Sequence, residues 1–75
     1  MPDAVDIKSR IEAAIPGAQA EVEDWTGGGD HFRATVVAPS FAGLSRIEQH
    51  RLVYRVFGEE IGGPIHALSL TTHSE

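Results

Sequence analysis

Ser45-Arg46-Ile47-Glu48-Gln49-His50-Arg51-Leu52-Val53-Tyr54-Arg55-Val56-Phe57-Gly58 is the stretch on which the fold turns. Its S-x-x-E opening is a capping box, in which the serine side chain and the glutamate each satisfy a backbone N–H that the first helical turn leaves without a partner. Behind it Ile47, Val53, Val56 and Phe57, with Leu52 or Tyr54 at the margin, predict the apolar stripe of an amphipathic helix. Gly58 is the place for that helix to stop or kink.

Upstream of this helix, Pro39 cannot donate to a ladder and ends a strand, and Ser40 to Leu44 form a short connection. The strand itself alternates, with Phe32, Ala34, Val36 and Ala38 on one face. From Ala18 to Thr26 a second alternation sets Ala20 and Val22 against Glu21, Glu23 and Trp25. Gly27-Gly28-Gly29-Asp30 between the two tolerates positive φ, so the runs are predicted to pair as an antiparallel hairpin. Trp25, on the polar side, reads either as packing beside the hairpin or as part of a partner surface.

Farther upstream, Ala4, Ile7, Ile11, Ala14 and Ile15 fall at helical spacing, with Asp3 as N-cap and Pro16-Gly17 as a stop. Downstream of Gly58, Glu59 to Pro64 hold one short turn. Ile65 to Leu70 read as a final strand, apolar on both faces and so predicted to be covered, and Thr71 to Glu75 as a frayed polar tail.

The order α-β-β-α-(short turn)-β defines a single α+β domain over residues 1–75, with both helices packed on one face of a three-stranded mixed sheet. A helical connection between the second and third strands predicts a parallel pair joined by a right-handed crossover. His31 begins the second strand and His66 the start of the third, so parallel neighbours bring both to the same edge of the sheet. Strands lie about 4.8 Å apart, within reach of one metal centre for two imidazoles. From spacing alone, the ordinary role of each histidine is a solvated or hydrogen-bonded side chain.

Seventy-five residues leave no room for a second core. The formal charge of -5 opposes binding modes that neutralise many phosphates. The chain has no cysteine, hence no disulfide, no thiol nucleophile and no thiolate for a metal. The opening MPDAVDIKSR lacks the basic start and apolar core of a secretory signal, and no apolar run nears the ~20 residues of a membrane span, which predicts a cytoplasmic location and no membrane association.

Phe41-Ala42-Gly43-Leu44-Ser45-Arg46-Ile47-Glu48-Gln49-His50-Arg51-Leu52-Val53-Tyr54, followed by Ile65-His66-Ala67-Leu68, resembles the BolA family, with its F-x-G-x-S-R-x-x-Q-H-R-x-V-Y segment and later I-H-A-L. The Gly-Gly-Asp-His-Phe element ending at Phe32 is similar to the short bacterial branch of that family. The resemblance implies a fold like the class II KH domain and an adaptor that binds a monothiol glutaredoxin. It further implies a 2Fe-2S cluster shared with that partner and glutathione, in iron-sulfur trafficking or iron and redox regulation, with no cofactor held by the chain alone. On the same footing His66 corresponds to the histidine of I-H-A-L, and His31, or another group of the glycine-rich loop, to the loop ligand. Iron in such clusters accepts imidazole in place of thiolate, which raises the reduction potential. Tyr54 and Arg55, on the helix before that strand, are weaker candidates for the partner surface.

Two other classes compete for the same residues. A KH-like nucleic-acid-binding transcriptional regulator would use Arg46, Arg51 and Arg55, yet these read equally as a solvated face mixed with Glu48, Glu59 and Glu60, and no glycine pair has the G-x-x-G spacing. An enzyme finds little support: Ser45 is occupied as a helix cap, the triple glycine is not followed by Lys-Ser or Lys-Thr, and no catalytic residue is assigned. His50 reads as a polar contact on the helix flank, and His73, in the predicted tail, is given no role.

Overall fold

A computed structural model describes residues 3–24, 31–63, 65 and 67–75. Residues 25–30, Pro64 and His66 lie outside the described residues, and so do the readings attached to them, Trp25 and the hairpin glycines included.

Helix α1 (Ala4–Ala14) starts where the Asp3 side chain accepts a hydrogen bond from the Asp6 N–H at 2.8 Å, and buries Ile7 and Ile11. Ala14, placed on the stripe by spacing, is exposed, and Ile15 just past the helix takes the buried position. Strand β1 (Gln19–Asp24) runs antiparallel to β2 (His31–Val37), from Gln19 against Val37 to Asp24 against Phe32. A single 3-10 turn (Pro39–Phe41) then leads to helix α2 (Arg46–Phe57), whose Ser45/Glu48 capping box is fully formed. Gly58 ends α2 at φ 55°, a left-handed backbone that side chains disfavour, and its N–H returns to the Tyr54 carbonyl.

After a second 3-10 turn (Gly58–Glu60), strand β3 (Ala67–His73) pairs parallel to β2, from His31 against Ala67 to Val37 against His73. The sheet order is β1-β2-β3 with both helices on one face, as α+β layering requires. Ala20, Phe32, Ala34, Val36 and Leu68 from that face meet Ile7, Ile11, Val53 and Phe57 in the core.

The last strand departs from its predicted bounds. It runs three residues beyond Leu70, so Thr71 to His73 are ladder rather than frayed tail, and the His73 carbonyl accepts from the Ala38 N–H at 3.0 Å. Nor is it covered on both faces: Ser69, Thr71 and His73 are exposed on the face away from the helices. β-branched threonines on a half-solvated surface favour strand as well as apolar residues do, so the end of the apolar run does not mark the end of the strand. Ile65 stands outside the strand in one isolated bridge to Ile61.

Side chains tie the helices to the sheet. Gln49 donates to the carbonyls of Phe41 (3.3 Å) and Leu44 (3.0 Å) and accepts from the Thr72 hydroxyl (2.6 Å), locking the connection, α2 and β3 together. Arg10 of α1 pairs with Glu60, reaches the Val56 carbonyl at 3.3 Å and lies 4.8 Å over the Phe57 ring. Glu60 therefore belongs to α1, not to a mixed-charge face with the arginines of α2. Glu12 and Lys8, 2.6 Å apart, close on the outer side of β1: Glu12 accepts from the Ala20 N–H and Lys8 donates to the Ala20 carbonyl, each at 3.0 Å.

The two carboxylates in these ties, and Glu48 of the capping box, are held below the ordinary carboxylate range. Arg10 does this for Glu60, Lys8 and then the Ala20 N–H for Glu12, and the Ser45 N–H for Glu48. A lowered folded pKa means that the unfolded chain takes up protons first. The stabilisation is whole above the unfolded value of about 4.3 and is lost as pH falls through the lower folded values. Urea unfolding midpoints should therefore drop below about pH 4.5, with a shallower drop in Glu60→Gln; superimposable profiles for variant and parent would contradict the Arg10–Glu60 tie.

Candidate functional site

The rim where β2 and β3 begin follows from three local features. His31 is the first residue of β2, half-buried, and its register partner is Ala67, the first residue of β3. Before Ala67, Gly62 turns the chain at φ 88°, its N–H donating to the Ile65 carbonyl at 2.8 Å, while the Ile65 N–H donates to the Glu60 carbonyl at 2.9 Å. Ile65 is fully buried. The chain is thus fixed on both sides of position 66, although His66 itself lies outside the described residues. What the structure does place is His31 beside the residue that follows His66 in the chain, across a strand spacing of about 4.8 Å.

With no cysteine anywhere in the chain, the nitrogen donor that the structure places at this rim is the His31 imidazole, and any thiolate must come from elsewhere. Among the described residues no three His, Asp or Glu groups converge as a self-sufficient metal site. Donors of this kind suit an iron centre whose remaining ligands come from elsewhere.

The other candidates separate. Tyr54 is half-buried and its hydroxyl donates to the Leu68 carbonyl at 2.9 Å, so it joins α2 to β3 next to the rim. Tyr54→Phe deletes that bond and should cost about 1 kcal/mol in urea unfolding; no loss would show the hydroxyl to be equally satisfied by water. Arg51 and Arg55 share a shallow groove with Leu44, Glu48 and Leu52, Arg55 being exposed. Arg46 is not with them: it lines a different groove, with His50, beside the end of β3. The three arginines therefore do not form one basic patch.

Gln49 and Arg10 carry structural roles that the sequence reading did not assign. A glutamine four residues before the buried Val53 on a capped helix was the available signal for the first. The second had none, because Arg10 and Glu60 lie far apart in the chain and meet only through the fold.

A small α+β domain with both helices on one side of a mixed three-stranded sheet, and a histidine at the parallel strand starts, is the class defined by this geometry. The family model described as BolA-like protein matches residues 5–75. The chain belongs to the BolA-like family. It is 37% identical over 76 residues to human BolA-like protein 1, an alignment covering 92% of this chain and 56% of that protein. It is 42% identical over 48 residues to the DNA-binding transcriptional regulator BolA of Vibrio cholerae, covering 64% of this chain and 45% of that one. The chain thus spans about half the length of these relatives. The structure of a bolA protein homologue from Coxiella burnetii superposes with a TM-score of 0.80 at 39% identity, over 97% of this chain and 91% of that one. No helix among the described residues is long and apolar enough to cross a membrane.

Proposed function

We propose that this domain is an adaptor rather than an enzyme, supplying imidazole ligands to a 2Fe-2S cluster shared with a monothiol glutaredoxin and glutathione. His66 and His31 are the ligands. The observation that supports this reading most is the parallel register of His31 with Ala67, the residue after His66, in a chain that holds no thiolate. A bound cluster would supply electron-accepting iron; the domain would supply two neutral nitrogen donors and the fixed strand starts that present them. Work alongside a thiol partner suits the reducing cytoplasm, and the same complex would serve cluster trafficking or iron regulation.

The test is to mix purified chain with cluster-loaded monothiol glutaredoxin and glutathione and record visible circular dichroism. A changed spectrum is the expected result. A spectrum equal to the sum of the separate components would sink the proposal.

A second reading, as a nucleic-acid-binding regulator, draws support from the name of the Vibrio cholerae relative. The separation of Arg46 from Arg51 and Arg55, with the charge of -5, argues against it. Phosphate-led DNA binding that weakens steeply with salt would revive it.

A further inference from the structure

The two outer edges of the sheet are treated differently. On β1 the outward N–H and C=O of Ala20 are both closed by the Glu12–Lys8 pair, so no strand can add at that position. On β3 the His73 carbonyl bonds to Ala38, which sets the odd-numbered positions toward β2 and turns the N–H and C=O of residues 68, 70 and 72 outward. The Leu68 carbonyl is taken by Tyr54. Among the described residues no hydrogen bond engages the outward N–H or C=O of Leu70 or Thr72. Beside them runs a groove of about 350 Å³, lined by Arg46, His50 and residues 70–73.

We propose that this edge is a docking site for an extended acidic peptide segment, which adds to the sheet as a fourth strand and sets a carboxylate on Arg46. Strand addition draws affinity from main-chain bonds and selectivity from side chains beside the edge. In an acidic chain the charge of this groove is distinctive. Lys8, Arg10 and Arg33 are paired with Glu12, Glu60 and Glu23; Arg46, Arg51 and Arg55 are exposed and make no ion pair among the described residues, and of these three Arg46 is the one that lines the groove beside residues 70–73. A guanidinium fork matches a carboxylate with two parallel bonds. His50, four residues along α2, adds a ring N–H donor to the same groove. A second copy of this chain fits less well, because its β3, Ala67–His73, carries no acidic residue to set on Arg46. The site lies toward the end of β3 away from Ala67 and the histidine rim, so both can be engaged together.

The test uses 15N-labelled chain titrated with a capped pentapeptide of alternating valine and glutamate, its valine-lysine counterpart, and oligothymidylate. The glutamate peptide is expected to shift the Leu70 and Thr72 amide resonances and slow their hydrogen exchange. Arg46→Glu should weaken this at least tenfold without loss of stability, because a carboxylate in the first turn suits the helix N-terminus. Unmoved Leu70 and Thr72 amides at millimolar glutamate peptide would overturn the proposal. So would equal binding by Arg46→Glu, tighter binding of the lysine peptide or oligothymidylate, or a dimer sealed along β3.

Discussion

Phe41→Ala should lower the unfolding free energy by about 3–5 kcal/mol, the range for deleting a buried phenylalanine ring. Phe41 is 0% exposed, although it sits in a three-residue turn between β2 and α2. Its ring joins the core formed by Ile7, Val36 and Val53 among others, so the loss is one of packing, the carbonyl that accepts from Gln49 being kept in alanine. Natural domains have roughly 0.05–0.15 kcal/mol per residue in hand, about 4–11 kcal/mol for a chain of this size, so such a loss removes a large part of the total. Ile47→Ala is the control. Ile47 is as apolar but 64% exposed, and its truncation should stay within about 0.5 kcal/mol. Urea melts of the two variants decide the matter: comparable losses would contradict the burial described.

The second large effect concerns the cluster. His66→Ala and His31→Ala are each expected to remove most of the change in visible circular dichroism on mixing with loaded glutaredoxin, while far-ultraviolet spectra stay those of the folded domain. Loss of the signal from neither variant would show that the cluster takes its ligands elsewhere.

Much of this architecture was legible because the local signals agree. Asp3 caps α1, the Ser45–Glu48 box caps α2, and the alternation Phe32-Ala34-Val36 marks the inner face of β2. The parallel pairing of β2 and β3 followed from a helical connection, and it placed His31 at the start of its strand. Periodicity failed where polar groups took inward positions. Ile47 lies about 120° around the helix from Val53, whereas Gln49, one helical turn before Val53, faces inward because the carbonyls of Phe41 and Leu44 need a donor there. Phe41 was passed over for the opposite reason: a lone aromatic in a short connection has no period. The grouping of arginines failed because spacing along a helix says which face a side chain takes, not what stands opposite. Arg46 faces the end of β3, and Arg51 and Arg55 face the other way.

The account rests on nitrogen donors from this chain reaching iron. Growing it with 15N-labelled histidine, forming the complex with unlabelled cluster-loaded glutaredoxin and glutathione, and reducing the cluster permits pulsed electron paramagnetic resonance of the surrounding nuclei. Two strong 15N hyperfine couplings are predicted, one lost in His66→Ala and the other in His31→Ala. A reduced complex with no 15N coupling, its iron held by sulfur alone, would contradict the account directly.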